Sequence, residues 1–163
     1  MPTVRLGFCA FPSFWGRLID WGTQGEVGHA FAVLPSGEIL DSQHDAGLGG
    51  KPSGVQIRPA GYLAKAKAKN ILYVDFPCSK IQRDAFYAFL HAQVGKPYDT
   101  QGIIGYFFGK PWRDPGAWYC SELDGAAAEA AKFFPAPLRT PHDRLTPEEW
   151  LLIVSAFAPV KAG

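Results

Sequence analysis

The chain has 163 residues, 47% of them hydrophobic and 19% charged, enough for a single domain spanning 1–163 with a core that needs no disulfide staples. Twelve Phe, five Trp and six Tyr exclude a disordered chain. A net charge of +1 with no basic stripe excludes nucleic acid as the main partner; Lys65, Lys67 and Lys69 alternate with Ala and read as one solvated edge. Cys9, Cys78 and Cys120 cannot all pair, and their spacing fits no zinc pattern, so neither a metal nor another cofactor is expected. No stretch approaches 18 uninterrupted apolar residues, and no transmembrane segment is expected. Met1–Trp15 is interrupted by Pro12 and is not followed by a small-residue cleavage site. No signal peptide is therefore expected, and the chain is cytoplasmic or exported by a signal-independent route, a virion included.

In chain order, Val4–Ala10 is an apolar run that predicts a buried strand, and Ser13 caps a helix through Thr23. Gly25–Gly28 is a loop. His29–Leu34 and Glu38–Ser42 flank Pro35-Ser36-Gly37 and read as a β-hairpin. After a Gly-rich loop at His44–Gly54, Val55–Arg58 and Asn70–Phe76 are two further strands, so that every β segment precedes a helical second half. Ser79 caps a helix from Lys80 to Val94, with Ile81, Ala85, Phe89 and Leu90 inward and Gly95 closing it. Ile103–Phe108 is a short helix, Gly109–Gly116 a loop, and Trp118–Phe134 a long Ala-rich helix ended by Pro135. Thr146-Pro147-Glu148-Glu149 starts a last helix that runs to about Ala156. The fold class is α+β, a small antiparallel sheet packed against helices.

A reactive thiol needs a helix N-terminus or a cation to hold the thiolate and a His to move the proton. Cys9 lies inside an apolar strand and reads as core. Cys78 precedes a helix but has no acid–base partner nearby in sequence. Cys120 falls in the first turn of the Ala-rich helix, behind a Gly- and Pro-rich loop that would leave its sulfur facing a cleft; spacing alone leaves its role open. Among the histidines, His91 sits within a helix and His44 and His142 in loops. His29 opens a strand, and the Pro35–Gly37 turn sets Asp41 opposite or nearly opposite it. Such a pair lets the acid hold one ring nitrogen and leaves the other free, as a Cys–His–acid triad requires.

Gly28-His29-Ala30-Phe31-Ala32-Val33-Leu34 followed by Gly37-Glu38-Ile39-Leu40-Asp41 resembles the His strand of the NlpC-type cell-wall peptidases, whose third polar residue stands twelve positions after the His. The order His, acid, Cys resembles the circularly permuted branch of that papain-like fold, the YiiX/YaeF-like proteins. Ser13–Thr23, Val94-Gly95-Lys96-Pro97-Tyr98-Asp99 and Trp118-Tyr119-Cys120-Ser121-Glu122-Leu123 match that branch too. The resemblance implies a permuted papain-like fold with Cys120 as nucleophile, His29 as general base, Asp41 as orienting residue and Tyr98 lining the cleft. An Asp stands at the third position, where Glu or His is expected.

The resemblance further implies a cysteine hydrolase that cleaves an amide bond in peptidoglycan stem peptides. The loops His44–Gly54 and Gly109–Gly116 would then rim the cleft with Asp45, Lys51, Lys110, Arg113 and Asp114. Two alternatives stand beside it. One is an acyltransferase or thioesterase whose groove Ile103–Phe108 and Trp112 would line. The other is a component of a larger assembly, such as a phage tail, that uses the fold structurally.

Overall fold

The fold is that of a computed structural model, which describes residues 1–12, 26–44, 53–107, 110 and 112–163. Six strands, β1 (Thr3–Ala10), β2 (His29–Val33), β3 (Ile39–Gln43), β4 (Gly54–Arg58), β5 (Lys69–Pro77) and β6 (Val160–Ala162), form one sheet in the order β4-β3-β2-β1-β5-β6. Every neighbouring pair is antiparallel. Alternation along the strands divides the apolar side chains between two faces. Val4, Leu6, Phe8, Ala30, Ala32 and Leu40 join the main core, while Cys9, Phe31 and Ile39 join a second cluster closed by Tyr62 and Leu63.

Those two closing residues belong to α1 (Tyr62–Lys65), followed by α2 (Lys80–Gln93), α3 (Thr100–Phe107), α4 (Cys120–Ala130) and α5 (Pro147–Ser155), with a 3₁₀ turn at His142–Arg144. Ser79 and Gln82 form a capping box on α2, and Thr146 and Glu149 form another on α5 with Pro147 in the first turn. In α4 every residue from Cys120 to Ala128 is buried. Its run of Gly125 and three alanines removes the side-chain bulk that would hold a helix away from its neighbours, so the helix can be enclosed on all sides.

The structure departs from the sequence reading in three places. Ile81 is 82% exposed, because the inward stripe of α2 runs through Phe86, Leu90 and Gln93 instead. The Ala-rich helix is shorter than Trp118–Phe134. Trp118 is held in a bridge with Tyr98, and after Ala130 the chain turns at Lys132 (φ 54°) so that Phe133 can stack between Phe76 and Phe86 at 4.8 and 5.1 Å. Not every strand precedes the helices: β6 follows α5 and adds to β5. The helix expected from Ser13 lies outside the described residues.

One glycine is required by its backbone and its surroundings. Gly54 opens β4 at φ +99°, and a Cβ there would run into the Lys96 carbonyl and Pro97. That close approach lets Val55 exchange two backbone hydrogen bonds of 2.9 Å with Gly95 and Lys96. Among the described residues no helix is long and apolar enough to cross a membrane.

Candidate active site

The hairpin brings the proposed base and acid together along a diagonal. The β2–β3 register pairs Ala32 with Leu40 and Val33 with Ile39; continued towards the open end, it sets Phe31 opposite Asp41 and His29 opposite Gln43. Diagonal neighbours on one face are about 7–8 Å apart at the backbone, within reach of an imidazole and a carboxylate. His29 Nε2 donates to Asp41 Oδ2 at 2.9 Å. Both groups are buried, and the His29 ring lies against Phe11 and Phe31, with centroids at 5.1 and 6.2 Å.

The carboxylate has further partners. Gln43 Nε2 donates to Oδ2 at 2.7 Å, and Tyr62 in turn donates its hydroxyl proton to Gln43 Oε1 at 2.8 Å. On the other oxygen, Arg58 Nε donates to Oδ1 at 2.7 Å, with both side chains fully buried. The guanidinium carbon stands 5.1 Å above the Tyr62 ring in a cation–π contact, while its two terminal nitrogens are buried with no hydrogen-bond partner among the described residues.

Cys120 is the first residue of α4, where backbone N–H groups lack intrahelical acceptors and the helix dipole favours negative charge. Three contacts fix that helix start. Glu122 Oε2 accepts from the Tyr119 N–H at 3.3 Å, Ser121 Oγ donates to the Leu145 carbonyl at 2.6 Å, and Arg113 Nε lies 2.9 Å from Glu122 Oε1. Held in this way the residue is 3% exposed. Tyr98 is carried alongside: Trp118 donates its N–H to the Pro97 carbonyl, and Asp99 donates its N–H to the Trp118 carbonyl, both at 3.1 Å. The Tyr98 ring meets His44 edge-on at 5.5 Å.

The electrostatics tie these elements together. Burial by itself would lower the His29 pKa, but hydrogen bonds to Asp41 and to Cys120, and the negative charge of both, raise it from 6.5 to about 10. With Nε2 engaged by Asp41, Nδ1 is the ring nitrogen left to meet the thiol. An imidazole between a carboxylate and a thiol can take the sulfur's proton and hold it as an ion pair. Asp124 stands one helical turn beyond Cys120 and is 1% exposed, and neither carboxyl oxygen has a hydrogen-bond partner among the described residues. Burial pushes its pKa well above the ordinary value, while His29 pulls it down and Asp41 pushes it up.

The remaining candidates separate cleanly. Cys9 is in the second apolar cluster; Cys78 is buried with its sulfur 3.8 Å from the Pro2 carbonyl, and burial pushes its thiol up. His142 Nδ1 pairs with Glu129 at 2.8 Å, and His91 is exposed. Of the expected rim charges, Lys110 and Asp114 are exposed, Arg113 is drawn to Glu122, and Asp45 and Lys51 lie outside the described residues. No group of three or more His, Cys, Asp or Glu among the described residues could hold a metal ion.

Arg58, Gln43, Tyr62, Asp124 and Glu122 are the site residues that the sequence reading missed. Two signals pointed to some of them. Asp124 is four residues after Cys120, hence on the same helix face, and Gln43 is two after Asp41, hence on the same strand face. No protein-family model matches the chain, and a search of curated proteins finds no match either.

Proposed function

We propose that the chain is a cysteine hydrolase of the circularly permuted, NlpC-type papain-like class, cleaving an amide bond in peptidoglycan stem peptides. One observation carries this reading: His29 bonds Asp41 through Nε2 at 2.9 Å, and the same buried imidazole is raised in pKa by Cys120 at the start of a helix. His29 takes the Cys120 proton, and the thiolate attacks the amide carbonyl. The C–N bond breaks as the imidazolium gives its proton to the departing amine, leaving a thioester on Cys120. Water, deprotonated by His29, then attacks the thioester, releases the acid and returns the thiol. The Cys120 backbone N–H at the helix start is one donor to the oxyanion of each tetrahedral intermediate.

A second reading keeps the site and changes the bond. Trp112 is 51% exposed, close to Gly105 and following the half-exposed Ile104, an apolar rim suited to acyl chains. Purified peptidoglycan offered to the wild type and to Cys120→Ser tests the first reading; release of new amino groups by the wild type alone supports it. A long-chain adduct on Cys120 from a fatty-acyl thioester, with peptidoglycan left intact, would favour the acyl-transfer reading.

A further inference from the structure

We propose, resting on the reading above, that Arg58 is a positioning residue of this site, a permanent counter-charge that holds the Asp41 carboxylate in place while His29 gains and loses its proton. The division of partners carries the argument. Asp41 gives Oδ2 to His29 and Gln43 and Oδ1 to Arg58, so neither oxygen can swing out of line without breaking a bond of 2.9 Å or less. Both Asp41 and Arg58 are fully buried, where a carboxylate without a cation is costly.

During turnover His29 is neutral for part of the cycle. At that point an Asp–His pair alone would leave a lone buried anion, which lowers its energy by taking up a proton and so ceases to orient the ring. An arginine never gives up its charge, and here it meets the carboxylate through Nε alone. Arg58 Nε therefore pairs the carboxylate in every state of the imidazole. The Tyr62 hydroxyl, through Gln43, and the Tyr62 ring, beneath the guanidinium, brace both sides of the arrangement.

Among the described residues, the titratable and charged groups about the His29–Asp41 pair are Cys120 and Asp124 on α4, Arg58 on β4, Tyr62 on α1 and Cys9 opposite His29 on β1. Arg58 is the one cation of that set besides the imidazole itself. Nothing in VQIR marks it as part of a site, because the residue two after Gln56 in an alternating strand reads as a solvent-facing charge.

The test reads Cys120 itself, so it does not depend on the substrate. The rate of Cys120 alkylation by iodoacetamide is measured against pH by peptide mapping for the wild type, Arg58→Met, Arg58→Lys, Asp41→Asn and the Arg58→Met/Asp41→Asn double variant. Arg58→Met is expected to lower the rate near pH 6 by roughly 10- to 100-fold, by analogy with the loss of a partner that orients a metal-ligating histidine, and to move the whole profile. Arg58→Lys, which keeps the charge, should recover most of that loss. In the Asp41→Asn background, Arg58→Met should add nothing, since its effect passes through the carboxylate. A folded Arg58→Met with the wild-type profile overturns the proposal. So does a double variant that loses a further tenfold over Asp41→Asn, and this pair keeps the test open if Arg58→Met alone fails to fold. Failure to cleave peptidoglycan with this alkylation pattern intact would count against the substrate reading and leave Arg58's role standing.

Discussion

Ser42 Oγ donates to the Trp118 backbone carbonyl at 2.6 Å, joining the strand that carries Asp41 to the segment just ahead of Cys120. The two halves of the site come from residues 76 apart in sequence at this link, and both ends of it are buried. The same carbonyl also accepts from the Asp99 N–H at 3.1 Å, so it keeps a partner if the hydroxyl is removed. Ser42→Ala should therefore cost about 1 kcal/mol of stability. It should lower kcat more than that small loss suggests, with KM little changed, because the strand carrying Asp41 and the segment leading to Cys120 lose a direct tie. Thermal melts beside steady-state kinetics check this; unchanged kcat would show that the link is purely structural.

Cys120 should be alkylated ahead of Cys9 and Cys78. All three are buried, so access does not separate them, and the difference lies in what faces the sulfur. Cys120 has the His29 imidazole and a helix start, Cys9 sits among Phe31, Ile39 and Tyr62, and burial raises the Cys78 thiol. Peptide mapping after brief iodoacetamide treatment reads the order. Replacing His29 by Ala should slow Cys120 and leave the other two as they were.

Asp41→Asn should keep the fold and slow turnover steeply. The amide oxygen can still accept from Arg58, but the amide nitrogen would then face the Gln43 and His29 donors, which now lack an acceptor. Loss of the orienting acid in a catalytic triad can cost roughly 10⁴-fold in kcat. Kinetics with a circular-dichroism control check the expectation. Full activity would remove Asp41 from the mechanism.

Glu122 sets a pH dependence of stability whose sign is fixed by its environment. Burial raises its pKa from 4.5 to about 7, against the pull of Arg113 and the Tyr119 N–H. The folded protein thus holds a proton that the unfolded chain has released, and stability falls as pH rises from about 4.5 to about 7. The size is on the order of 3 kcal/mol, at 1.36 kcal/mol per pKa unit. Glu122→Gln retains an acceptor for the Tyr119 N–H and cannot ionise, so its unfolding free energy should rise relative to wild type across that range. Denaturant titrations at several pH values that give parallel curves for the two proteins would refute this.

The hairpin could be read from its residues because Pro35-Ser36-Gly37 marks the turn and apolar alternation marks the strands; Gly37 adopts φ 86°, as the turn demands. The α5 start was equally plain, since Thr146, Pro147 and Glu149 each act locally. Ile81 misled because the stripe was extended by hydrophobicity alone to the first turn: Leu90 is buried and Ala85 and Phe89 pack on the core as expected, but Ile81 falls outside the face centred on Phe86 and Leu90. Arg58 was hidden for a different reason. Its strand face is buried by Tyr62 and Leu63 of a four-residue helix too short to announce itself, so a charge that belonged to the interior looked like surface. β6, with all three residues exposed, carries no apolar pattern to find.

Both margins of the sheet are partly covered. At one margin, Gly95 and Lys96 occupy the outer hydrogen-bonding groups of Val55 on β4. At the other, β6 pairs with Leu72, Tyr73 and Val74 of β5, and Lys161 reaches across to Asp75 at 2.8 Å, placing a charge on the rim. Short margins bearing lysine resist edge-to-edge stacking. Three residues thus have a bearing on colloidal behaviour out of proportion to their contribution to the core: a chain clipped before Val160 would bare the middle of a nine-residue strand and should elute from a sizing column as self-associated species while its far-ultraviolet spectrum stays close to that of the intact protein.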